Sequence, residues 1–91
     1  MRVIKFEGEF CITADHLSGE SLEPSKIEAL KREGYNKYFR LYDDDGTLYY
    51  SGYAHVDLEG EDEFAPLDWA MYDSGCTEIK YRNAQGILET L

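Results

Sequence analysis

The chain has 91 residues, 43% of them hydrophobic and 14% aromatic, with 19 acidic side chains against 9 basic ones and a formal net charge of −10. That length holds one domain, residues 1–91, with a radius of gyration of about 12 Å, and leaves no room for a second core. The aromatic content excludes a disordered acidic tail, and the charge repels nucleic acid and anionic lipid as direct partners.

Ile4, Phe6, Gly8, Phe10 and Ile12 alternate with Lys5, Glu7, Glu9 and Cys11, a period of two that predicts one strand with one buried face. A polar connection follows from Ala14 to Glu23. Ser25 and Glu28 then have the spacing of a capping box, and Gly34 suits the residue just past a helix end, so a helix of barely two turns is expected over Lys26 to Glu33. With only Ile27, Ala29 and Leu30 to bury, that helix needs a sheet to rest on.

Lys37 to Tyr42 and Thr47 to Val56 are aromatic and β-branched runs joined by Asp43-Asp44-Asp45-Gly46, and they predict a hairpin. Parity places Phe39 and Leu41 with Leu48, Tyr50, Ala54 and Val56 on one face. Tyr38, Arg40, Tyr42, Tyr49, Tyr53 and His55 fall on the other, away from the helix. Asp57 to Ala65 reads as an acidic loop. Pro66 to Met71, with Leu67 and Trp69, reads as one helical turn or a wrapping segment. Cys76 to Arg82 and Ile87 to Leu91 predict a second hairpin through Asn83-Ala84-Gln85-Gly86. The expected fold is therefore α+β, in β-α-β-β-β-β order: a mostly antiparallel twisted sheet of four to five strands packed on one short helix.

The charge is not spread along this order. Leu41 to Ile79 contains no Lys or Arg and holds Asp43, Asp44, Asp45, Asp57, Glu59, Glu61, Asp62, Glu63, Asp68, Asp73 and Glu78, whereas the other 52 residues carry eight acids and nine bases. A plain acidic hairpin tip is the ordinary reading of the triple aspartate. A calcium-binding loop fails on spacing, because Leu41 stands where its first Asp belongs and Gly52 where its closing Glu belongs.

Cys11 and Cys76 lack metal-ligand spacing and are too few for a disulfide scaffold; shared outward parity makes them facing partners if their strands are neighbours, and an acidic field keeps them unreactive. His16 and His55 belong to no triad or zinc signature, and no phosphate-binding glycine loop occurs. No catalytic residue, metal or cofactor is expected. The amino-terminal residues lack an apolar signal region and no transmembrane run exists, so a reducing cytoplasm is the expected compartment.

These features point to a small acidic inhibitor or decoy that docks on a basic partner surface, most plausibly that of a nuclease or other nucleic-acid-binding complex. Carboxylates on several loops imitate part of a phosphate array. In charge and size the chain resembles anti-CRISPR and anti-restriction DNA mimics and the immunity proteins of nuclease toxins, and the resemblance implies a non-enzymatic, partner-blocking role. The expected contact residues are Asp43, Asp44, Asp45, Asp57, Glu59, Glu61, Asp62 and Glu63, with Tyr49, Tyr53 and Trp69 as anchors, since aromatic side chains hold interfaces that charge has steered together. The competing reading is a protein-interaction module that uses the tyrosine-rich sheet face and keeps its acidic loops for solubility.

Overall fold

Alternating apolar side chains become strands when their backbones find partners, and every strand here finds antiparallel ones. The computed structural model describes residues 5, 6 and 9–91, the first two by backbone alone. Its strands are β1 (Lys5–Phe6), β2 (Phe10–Asp15), β3 (Glu20–Ser21), β4 (Tyr35–Tyr42), β5 (Leu48–His55), β6 (Glu78–Arg82) and β7 (Leu88–Thr90). Helix α1 spans Pro24–Arg32, and a 3-10 turn over Gly60–Phe64 runs into helix α2, Ala65–Ser74. The sheet order is β1-β2-β5-β4-β6-β7, with the short β3 also paired to β2. The expected α+β class with one antiparallel sheet is what forms, within a radius of gyration of 12.1 Å.

Several expectations change in detail. The first strand is two: Lys5 pairs with Ile12 and Phe6 with Cys11, so the chain reverses between Phe6 and Phe10. Alternation reports which side chains share a face and is silent on whether the chain runs on or turns back. Ile4, Glu7 and Gly8, which belonged to that expected strand, lie outside the described residues. The polar connection after Ala14 doubles back as β3, pairing Ala14 with Ser21 and Asp15 with Glu20.

Helix α1 starts earlier than expected. Glu23 occupies the N-cap without a side-chain cap bond and Pro24 supplies the first turn, so the Ser25 and Glu28 capping box does not form. Proline needs no amide partner at that position, which makes the side-chain cap dispensable.

The segment after the acidic loop is a full second helix, and two helices rather than one cover the sheet. α2 buries Pro66, Leu67 and Ala70, and Leu67 and Ala70 join Phe10, Ile12, Phe39, Leu41, Tyr50, Ala54, Leu58, Cys76, Ile79 and Tyr81 in the main core. α1 lies on the opposite face, where Lys31 stands over the Tyr53 ring, and it has no buried residue. The tyrosine side is thus the side of α1, contrary to the expected arrangement.

Gly52 lets the three central strands close up. It sits between Ile12 and Phe39 in the register, and a Cβ there would collide with the Cys11 carbonyl oxygen and press on the Phe39 ring. Only a residue without a side chain fits that backbone approach.

A bulge reassigns the parity of β5. Leu41 pairs with Tyr50 but Tyr42 pairs with Leu48, which leaves Tyr49 unmatched and moves Leu48 to the face of Tyr42. Val56, expected in the core, falls just past β5 and is exposed. Strand order separates β2 from β6, so Cys11 and Cys76 do not face each other. Both thiols are buried, and burial pushes the Cys11 pKa up to about 11 and that of Cys76 upward.

Candidate protein-binding surface

The β4–β5 turn is built on Asp43. Its Oδ1 accepts from the amides of Asp45 at 2.9 Å and Thr47 at 2.8 Å, its own amide donates to the Thr47 carbonyl, and Gly46 closes the turn at φ +81°. Asn83 does the same in the β6–β7 turn, accepting from Gln85 and Ile87 with Gly86 at φ +82°. Asp43 is therefore half engaged in holding the backbone, while Asp44 and Asp45 project into solvent. The three carboxylates lie within 4.8 Å of one another.

Asp43, Asp44, Asp45 and Glu78 rim a hollow of about 560 Å³ whose floor includes Phe64, Leu67 and Ile79. A second hollow, of about 320 Å³, is lined by Glu9, Tyr35, His55, Asp57, Leu58 and Asp62. The hairpin tip precedes Leu48 and Asp57 follows His55, so the clusters stand at opposite ends of β5, roughly 23 Å apart for eight extended residues. The 3-10 turn and α2 link them, because Asp62 lines one hollow and Phe64 and Leu67 line the other. Asp68 is exposed on α2, and Asp73 near its end accepts a 2.7 Å hydrogen bond from the Tyr50 hydroxyl. The acidic window is thus gathered around the layer that covers the Phe39 side of the sheet.

Not every expected contact residue is free there. Glu63 pairs with Lys37 at 2.8 Å, and Lys37 also donates to the Leu58 carbonyl and lies against the Tyr81 ring. Glu59 and Glu61 are exposed. The expected aromatic anchors are packed: Tyr53 is 9% exposed between Tyr38 and Lys31, Trp69 is half-buried with its ring tilted on Tyr50 at 5.0 Å, and Tyr49 rests on the core edge with its pKa raised chiefly by a hydrogen bond to Asp43.

Other side chains offer what those three do not. Tyr72 on α2 is 97% exposed and Met71 is 49% exposed, and Phe64, the residue immediately before the helix, is 38% exposed. Leu67 and Ala70 take the inner side of α2, so Asp68, Met71 and Tyr72 are left outward by the three-to-four residue helical period. The signal lies in the sequence, in the spacing of 67 and 70 against 68, 71 and 72, but it emerges only for a helix that continues past Met71, not for one turn or a wrapping segment. α2 thus shows apolar side chains on its outer side as well as on its inner side.

His16 Nε2 lies 3.0 Å from the Ser51 hydroxyl. His55 meets Tyr35 edge-on at 5.1 Å, and its Nδ1 accepts from the Asp57 amide. No helix among the described residues is long and apolar enough to cross a membrane. Compared with protein-family models, curated proteins and solved structures, the chain finds no match.

Proposed function

We infer that the protein is a small acidic inhibitor or decoy, without catalytic activity, whose α2 side docks on a basic and nucleic-acid-binding surface of a partner protein such as a nuclease. The observation that carries this reading is the gathering of a Lys- and Arg-free window of eleven carboxylates around a helix that also exposes Phe64, Met71 and Tyr72. Opposite fields raise the association rate, toward about 10⁸ M⁻¹s⁻¹ at low salt, and aromatic side chains seated in partner pockets slow dissociation. Tyr72 takes the anchoring role in place of Tyr49, Tyr53 and Trp69. The alternative, an interaction module using the tyrosine sheet face, has less support, because Tyr53 is buried and cations cover the Tyr38 and Tyr42 rings.

The test is binding kinetics against the basic protein captured on the immobilised chain. Asp44→Lys with Asp45→Lys is expected to slow association severalfold at low salt and to matter little at high salt. Tyr72→Ala is expected to speed dissociation by about thirtyfold, the scale of an interface anchor. Association rates indifferent both to salt and to charge reversal would sink the proposal.

A further inference from the structure

The sheet face opposite α2 concentrates positive charge in a chain short of it. Arg40 and Lys80 are directly opposed across β4 and β6, and Arg82 follows two positions along β6 on the same face. Their Cβ atoms therefore form a triangle with sides of about 5 to 8 Å. Like charges placed directly opposite destabilise a sheet. Acidic side chains outnumber basic ones by 19 to 9, yet among the described residues none forms an ion pair with Arg40, Lys80 or Arg82.

Tyrosines position these cations without neutralising them. Arg40 Nε donates to the Tyr38 hydroxyl at 2.9 Å, the Arg82 guanidinium stands 4.6 Å from the centre of the same ring, and Lys80 stands 5.1 Å from the centre of the Tyr42 ring. Arg40 and Arg82 thus flank one tyrosine, and Tyr38, having accepted from Arg40, keeps its hydroxyl proton to donate. With cations already on the rings, base stacking is not what this face offers; charge and donors are.

We propose that Arg40, Lys80 and Arg82, with the Tyr38 hydroxyl, form a binding site for the phosphate monoester group of a small molecule. A monoester brings close to two negative charges and three acceptor oxygens on one atom, which suits guanidinium and ammonium donors carried at neighbouring positions of one sheet face. The size limit follows from the rest of the chain. An extended polyanion such as nucleic acid or an acidic protein face would bring further charge within a Debye length, about 8 Å, of a domain with a net charge of −10. A single dianionic group meets the local triangle first, with Glu78, opposite Tyr42 on the same face, as the neighbouring carboxylate. The site is independent of the decoy reading, since it uses the opposite face and different residues.

Inorganic phosphate titrated into the full chain at constant ionic strength tests it, read by NMR on the Arg40 and Arg82 Nε–H signals. Saturable shifts confined to β4 and β6 are expected. Lys80→Met, at a half-buried position, and Arg82→Gln, at an exposed one, are each expected to weaken binding roughly fivefold without lowering thermal stability. Phenyl phosphate should bind as inorganic phosphate does, and dimethyl phosphate, a diester with one charge, should not. Shifts that grow linearly and match those produced by chloride would overturn the proposal. So would tighter binding of an oligoglutamate peptide or single-stranded DNA at the same three residues.

Discussion

Asp43 and Asn83 perform one task with different charge, and that separates structure from recognition at a single side chain. Each accepts two backbone amides across a four-residue turn, so a carbonyl oxygen suffices. Asp43→Asn is expected to leave stability within about 0.5 kcal/mol of the parent, whereas Asp43→Ala, which strands both amides, should cost about 1 kcal/mol, as urea denaturation would show. Buried acids set a second residue-level expectation. Burial first, and the hydrogen bond to Asp73 second, push the Tyr50 hydroxyl from 10.0 to about 12, and burial moves Cys11 from 9.0 to about 11. Both groups stay protonated in the folded chain at pH values where the unfolded chain ionises. Their contribution is complete below pH 9 and is lost as pH rises through the folded values. Melting temperature should therefore fall between pH 9 and 12, and Tyr50→Phe should flatten the part of the fall above pH 10.

The two helices differ in what they add to the sheet. α2 inserts Pro66, Leu67 and Ala70 into the core, while α1 buries no residue and touches mainly β4. Leu67→Ala is expected to cost about 2 to 5 kcal/mol, the range for emptying a packed leucine site. Ile27→Ala on α1 should cost under about 1 kcal/mol, because half-exposed side chains lose little contact. Amide hydrogen exchange should follow the same order, with α1 opening locally long before β4 and β5. The β4–β5 hairpin was legible from its Asp-Gly turn and aromatic alternation. The bulge at Tyr49 was not, since nothing in a run of apolar residues marks which one will be left without a partner.

Across the whole molecule, charge is sorted by side. Most carboxylates of the Lys- and Arg-free window lie around α2, and Lys31, Arg40, Lys80 and Arg82 share the sheet face beyond it, with Glu78 of the window beside them. Self-repulsion of a net −10 opposes compaction and is relieved by screening. Melting temperature is expected to rise when sodium chloride goes from about 10 mM to 150 mM, a change in Debye length from roughly 30 Å to 8 Å. A melting temperature that falls or stays level would mean that local pairs such as Lys37 with Glu63 outweigh the long-range repulsion.

The sequence by itself determined the class of fold, the two hairpins and their turns, the small size and the one-sign window, because these depend on neighbours a few residues apart and on composition. The tertiary structure decided which side chains were left exposed. Tyr49, Tyr53 and Trp69 read as anchors in one dimension and became packing residues once strand order and a bulge brought Tyr38, Lys31, Tyr50 and the core edge against them. Tyr72 reached the surface because Leu67 and Ala70 fixed the rotation of α2 against the sheet. Arg40 came to face Lys80 across strands forty residues apart in the chain. Exposure and juxtaposition come from long-range packing, which local patterns do not encode.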